Sequence, residues 1–132
     1  MNEKSFTLLE LMLVVVILGI LATFVVPGYL GVKRRAEGRG SSTQLRMLHA
    51  AQKVNHLEEE LYIACNGFAA CNTALDLDLP DDGWAYRAVC IGGCANGFLA
   101  RATDTSGSGC VYTITQLITV PTTGASCVFT AR

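Results

Sequence analysis

Between Leu11 and Val32 the chain runs for 22 residues without a charged side chain, LMLVVVILGILATFVVPGYLGV. A bilayer core takes about 20 apolar residues as helix, so a run of this length can span one. From Ser5 to Val32 the single charge is Glu10. A carboxylate carried to the bilayer centre costs about 2.5–3.5 kcal/mol, and an isolated membrane anchor gains nothing from it. Either Glu10 sits at headgroup level or it has a partner.

The rest of the chain reads as one small domain. At 132 residues there is room for little more beside the apolar segment, and the first 32 residues supply much of the 51% hydrophobic content. A formal net charge of -1 creates no field directed at nucleic acid or at an acidic partner. All six cysteines lie at or beyond Cys65. An even number confined to one small region is the pattern of a disulfide framework in an oxidising compartment. A cleaved secretory signal fits poorly, because Lys4 is offset by Glu3 and Glu10 and no A-x-A site follows the run.

Lys33-Arg34-Arg35 follows the apolar run, with Arg39 and Arg46 beyond. This cluster reads as a collar at the membrane surface. A nucleic-acid track would need interleaved aromatics for base stacking, and there are none, so no specific nucleic-acid partner is expected. The collar runs against the positive-inside rule for a chain whose bulk lies outside.

From Ser41 to Ala64 a helical stripe is read through Leu45, Leu48, Ala51, Val54, Leu57 and Leu61, with Tyr62 and Ala64 at its end. His49 and His56 are read as surface residues rather than metal ligands. The expectation is one long helix from Phe6 to about Tyr62, roughly 85 Å at 1.5 Å per residue. Gly19 and Pro27 weaken its first half, since proline inside a helix removes a hydrogen bond and costs roughly 3 kcal/mol.

Cys65 and Cys71 flank a short Gly-Ala loop, and Leu75 to Gly83 reads as a linker ending in an Asp-Asp-Gly turn. Asp76, Asp78, Asp81 and Asp82 could suggest calcium, but Pro80 stands where an EF-hand needs a ligand, and no metal is expected. Beyond it, Trp84–Cys90, Gly97–Thr103 and Cys110–Thr115 alternate with period two, and Cys127–Ala131 is a possible fourth strand. The fold class expected is therefore α+β, with the long N-terminal helix on an antiparallel sheet of 3–4 strands. Six cysteines allow 15 pairings and spacing selects none. The pairing expected is Cys65–Cys71 by local reach, then Cys90–Cys94 across the Ile-Gly-Gly turn, then Cys110–Cys127, while Cys90-x-x-x-Cys94 is an admissible zinc spacing disfavoured by an oxidising location. No nucleophile–base pair, carboxylate pair or phosphate loop is present, so neither an enzyme nor a cofactor is expected.

Ser5, then Phe6-Thr7-Leu8-Leu9-Glu10-Leu11-Met12, then Val16-Ile17-Leu18-Gly19-Ile20-Leu21-Ala22, then Pro27, resembles the N-terminal signature of type IV pilins and type II secretion pseudopilins. The resemblance covers residues 1 to about 35. It implies a leader, residues 1–5, cut between Ser5 and Phe6 by a prepilin peptidase, followed by N-methylation of Phe6. The family usually has Gly before the cut, where this chain has Ser5. The implied organisation is a polymerisation half of the helix at 6–32, an amphipathic half at 33–64 and a disulfide-stapled β domain at 65–132.

Glu10 then acquires a partner. Cleavage leaves an ammonium at Phe6 in apolar surroundings, and a buried lone charge must be paired. A carboxylate four residues on cannot easily reach back to its own terminus, whereas a neighbouring subunit shifted along the axis can present its amine. Such a pair would set axial register as a buried polar residue does in a coiled coil. Gly19 and Pro27 would let the segment between them extend in the filament.

The leading expectation is a structural subunit of an extracellular type IV pilus. It would be a homopolymer with identical or related pilins, assembled from the inner membrane by a platform protein, with its C-terminal domain outside the cytoplasm. The alternatives are a type II secretion pseudopilin and, in a different class, a monomeric membrane-anchored binding module.

Overall fold

Thr7 opens the long helix. In the computed structural model, which describes residues 7–124 and 126–127 apart from the side chains of Val26, Pro27 and Leu30, the Glu10 N–H lies 3.3 Å from the Thr7 hydroxyl and 3.1 Å from the Thr7 carbonyl. The helix, α1, runs over Leu8–Glu59. It ends three residues earlier than expected. Glu60 adopts a left-handed φ of 59°, and side chains of the last turns take over the backbone that follows. Gln52 donates to the Ile63 carbonyl at 2.5 Å and accepts from the Ile63 N–H at 2.9 Å. Asn55 donates to the Leu61 carbonyl at 2.7 Å. A third amide acts likewise further on, Asn72 exchanging both bonds with Leu79 at 3.0 and 2.7 Å.

The chain divides into two compact units, the first ending at Ala36 and the second beginning at Glu37. The first unit is the apolar half of α1. In the second, the remainder of α1 contributes to a core with a five-stranded sheet. The strands are β1 (Cys65–Asn66), β2 (Trp84–Cys90), β3 (Phe98–Asp104), β4 (Val111–Thr115) and β5 (Thr122–Thr123). They pair in sequence order and antiparallel throughout. The fold is α+β as expected, with more strands. The two additions are two-residue pieces at the edges, too short to show alternation. Of the strand anticipated at Cys127–Ala131, Cys127 is non-strand and 128–131 lie outside the described residues; the strand that pairs with β4 is β5.

Alternation places Trp84, Tyr86 and Ala88 of β2, Phe98, Ala100 and Ala102 of β3, and Tyr112 and Ile114 of β4 in one buried cluster with Leu45 and Leu48. Tyr86 faces Ala102, which faces Tyr112, and Ala88 faces Ala100, which faces Ile114. Large side chains thus alternate with alanines, so facing residues interdigitate. Gly97 precedes β3 because a Cβ there would collide with the Gln116 side chain, whose oxygen accepts from the Phe98 N–H at 3.2 Å.

Two expectations are corrected. First, the buried face of α1 carries Ser41, Leu45, Leu48, His49 and Gln52, whereas Val54 is 53% and Leu57 84% exposed. A step of three residues falls about 60° short of a full turn. The series 45, 48, 51, 54, 57 therefore winds off the core face, while 41, 45, 48, 52 stays on it. Second, the Gly-Ala loop and part of the linker form a helix, α2 (Phe68–Leu75), which ends on Asp76 in left-handed conformation. Its three alanines and one leucine are good helix formers.

Candidate functional site

The exposed apolar surface of α1 is the candidate functional feature. Leu8–Val25 forms a window of mean hydropathy 2.8, none of it buried, and long enough to cross a membrane. Glu10 is exposed at its start, in the first helical turn. Thr7-x-x-Glu10 is a capping-box spacing, and the Thr7 half of the box is made. A carboxylate here also complements the positive end of the helix dipole. This local role was missed by reading Glu10 for its charge alone, although the Thr-x-x-Glu spacing signals it. Ser5 and Phe6, the expected cleavage and methylation positions, lie outside the described residues.

Gly19 stands in open surroundings, with nothing within 4 Å of an added Cβ. The helical assignment carries through Pro27. Proline offers no N–H to the carbonyl four residues back, that of Thr23, and the Thr23 hydroxyl donates to the Ile20 carbonyl at 2.7 Å. Arg34, Arg35 and Arg39 are exposed after the span, in keeping with a surface collar.

In the second unit the cysteines join as Cys65–Cys71, Cys90–Cys94 and Cys110–Cys127. The first ties β1 to α2, the second closes the turn between β2 and β3, and the third ties the start of β4 to the segment after β5. Cys90 and Cys94 thus have no thiol free for zinc. Asp82 accepts from the Trp84 N–H at 3.3 Å and from the Tyr86 hydroxyl at 3.2 Å. Burial, and then the Asp82 charge, push the Tyr86 hydroxyl well above the usual phenol range. Asp76, Asp78 and Asp81 are exposed. Among the described residues no three of His, Cys, Asp and Glu gather as a metal ion would need.

The histidines are not surface residues. His49 is 9% exposed and sits 5.5 Å from the Phe98 ring, while His56 stacks on Tyr62 at 4.2 Å. Each keeps one buried ring nitrogen without a partner, Nε2 of His49 and Nδ1 of His56. Burial first, and the Lys53 charge second, hold His49 below its ordinary value of 6.5. The folded state then binds this proton less readily than the unfolded chain does. The stability involved is complete above the unfolded value and is lost as pH falls through the folded one. Melting temperature is expected to drop on acidification below about pH 6.5, and His49→Phe, which keeps a ring against Phe98, should flatten that slope. A slope unchanged in His49→Phe would assign the acid sensitivity to another group.

The description "Prokaryotic N-terminal methylation motif" matches residues 1–26. The chain is 47% identical over 61 residues to type II secretion system core protein G of Vibrio cholerae serotype O1, covering 46% of this chain and 42% of that one. It is 39% identical over 61 residues to type IV major pilin protein PilA of Myxococcus xanthus, covering 46% of this chain and 28% of that one. Against core protein G of Escherichia coli K12 the identity is 36% over 65 residues, with 49% of this chain and 45% of that one covered. The chain spans less than half the length of the curated relatives it matches. No solved structure matches it. The resemblance read from Phe6 to Pro27 therefore stands: the chain carries the prokaryotic N-terminal methylation motif, and its relatives include both core protein G of type II secretion systems and a type IV major pilin.

Proposed function

We propose that this protein is a non-enzymatic structural subunit of a type IV pilus-like filament. The observation that carries the reading is the apolar window Leu8–Val25, wholly exposed in the isolated chain and lying within the N-terminal methylation motif matched over residues 1–26. Before assembly the window anchors the chain in the inner membrane, with the second unit outside the cytoplasm. A prepilin peptidase cuts between Ser5 and Phe6, and Phe6 is N-methylated. An inner-membrane platform then delivers the subunit to a polymer of identical or related subunits. In the filament, helices that had lipid around them pack on one another. The Phe6 amine of one subunit meets Glu10 of the next, and this pairing sets the axial step.

A second reading, a pseudopilin of a type II secretion system, is favoured by the 47% identity to core protein G. Mechanical shearing separates the two. A pilin is expected in bulk in the sheared surface fraction, and a protein confined to the inner membrane would sink the pilus reading. The intact mass of that fraction should lack residues 1–5, carry one added methyl group and lack the six hydrogens removed by three disulfides. A mass retaining Met1 to Ser5 in assembled filaments would overturn the processing step.

A further inference from the structure

Register places two arginines side by side on the outer face of the sheet. Arg87 of β2 is directly opposite Arg101 of β3, and both are exposed. Cross-strand neighbours have Cβ atoms about 4.5–5.5 Å apart, and like charges so placed repel. Neither guanidinium makes a hydrogen bond or ion pair with any described residue. The two head a shallow concavity of about 370 Å³ completed by Val89, Ile91, Leu99 and Thr103. An apolar floor under unpaired guanidinium groups suits carboxylates that become desolvated on docking, since Arg presents a fork of donors matched to them.

Carboxylates of the required kind lie elsewhere on the same unit. Leu75-Asp76-Leu77-Asp78-Leu79 alternates so that Leu79 is buried, Leu75 and Leu77 pack against the core and the aspartates face solvent. Asn72 holds this segment through its side-chain bonds to Leu79 and its carbonyl's bond from Leu77. The side chains of Asp76, Asp78 and Asp81 make no hydrogen bond or ion pair with any described residue. Asp76, at the left-handed end of α2, and Asp78, two residues on, are both exposed on this short segment. Within one copy, no hydrogen bond or ion pair among the described residues joins the two patches.

We propose that the Arg87–Arg101 face of one copy docks the Asp76–Asp81 segment of the next. The contact joins two different patches, so it is heterologous. Such a contact builds an open polymer when its rotation does not close a ring. A net charge of -1 leaves the copies without strong mutual repulsion. This inference rests on the filament reading and adds to it a contact outside α1.

Charge reversal in the full chain tests it. Arg87→Glu/Arg101→Glu and Asp76→Arg/Asp78→Arg are each expected to lower sheared filament yield at least about tenfold, with unchanged melting of the extracted subunit. Combining all four should restore the yield to within about threefold of the parent. Doubles that polymerise like the parent would overturn the contact while leaving the filament reading intact. So would a quadruple variant that stays deficient, or an equal loss from the control pair Glu59→Lys/Glu60→Lys at the end of α1. A parent chain that forms no filament would instead sink the filament reading itself.

Discussion

Replacing Glu10 by alanine is expected to lower filament yield about a hundredfold or more and to leave the melting of the second unit unchanged. Removing one member of a buried ion pair leaves the other charge unpaired, at roughly 3–5 kcal/mol, which is more than two orders of magnitude in an association constant. The loss recurs at every subunit added, so a growing polymer is more sensitive than a single complex. A local role for Glu10 makes a different prediction. Through the Thr7 cap and the helix dipole alone, Glu10 should contribute only about 0.3–1 kcal/mol, and Thr7→Ala should cost about 1 kcal/mol of helix stability. Glu10→Gln separates the two. Glutamine can occupy a capping box but carries no charge for an ammonium. Filament yield near the parent's in Glu10→Gln would leave Glu10 with only its local role.

Gln52→Ala is expected to destabilise the second unit by about 3 kcal/mol. Gln52 is fully buried, and its amide makes the two bonds to the Ile63 backbone. Alanine leaves that N–H and carbonyl facing a cavity, and each unpaired buried group costs about 1–3 kcal/mol. For a unit of this size 1 kcal/mol moves the midpoint by roughly 4–8 °C, so a fall of well over 10 °C is expected in thermal melts of detergent-solubilised chain. Val54→Ala is the control, since Val54 lies off the core face, and its midpoint should barely move. A Gln52→Ala midpoint within a few degrees of the parent's would mean that water replaces both bonds.

The central strands were legible because each alternates on a sheet with one wet face. Trp84-Ala85-Tyr86-Arg87-Ala88 writes its burial directly into the sequence. The face of α1 was less legible, because its buried positions include Ser41, His49 and Gln52. Those polar residues are inside because the backbone gives them partners or because rings pack on them, and hydropathy registers neither. Ser41 donates to the Gly38 carbonyl at 2.9 Å, and Gln52 substitutes for a strand beside Ile63. Following apolar residues alone drew the stripe through Val54 and Leu57, which face solvent. A 4-3-4 spacing over 41, 45, 48 and 52 would have found the correct face. At the N-terminus the motif from Phe6 to Pro27 was readable because its spacing is specific, whereas the Thr7 cap was hidden by attention to charge. The Arg87–Arg101 pair could not be read at all, since opposition across strands depends on register and neither residue is near the other in sequence.

The disulfides and the amide clamps together determine how the second unit would carry load. Each bridge joins cysteines only 6, 4 or 17 residues apart, and all lie beyond the end of α1. Tension transmitted down α1 therefore meets no covalent cross-link until it has passed the Asn55–Leu61 and Gln52–Ile63 bonds. For the helix to come away, these clamps must break and Leu45 and Leu48 must leave the core they share with the sheet, while the three bridges stay closed. Chain held inside each bridged loop cannot pay out, which caps the extension available after yielding. Reseating the helix then needs the core and the clamps to reform but no thiol chemistry, since no bridge joins α1 to the rest of the unit.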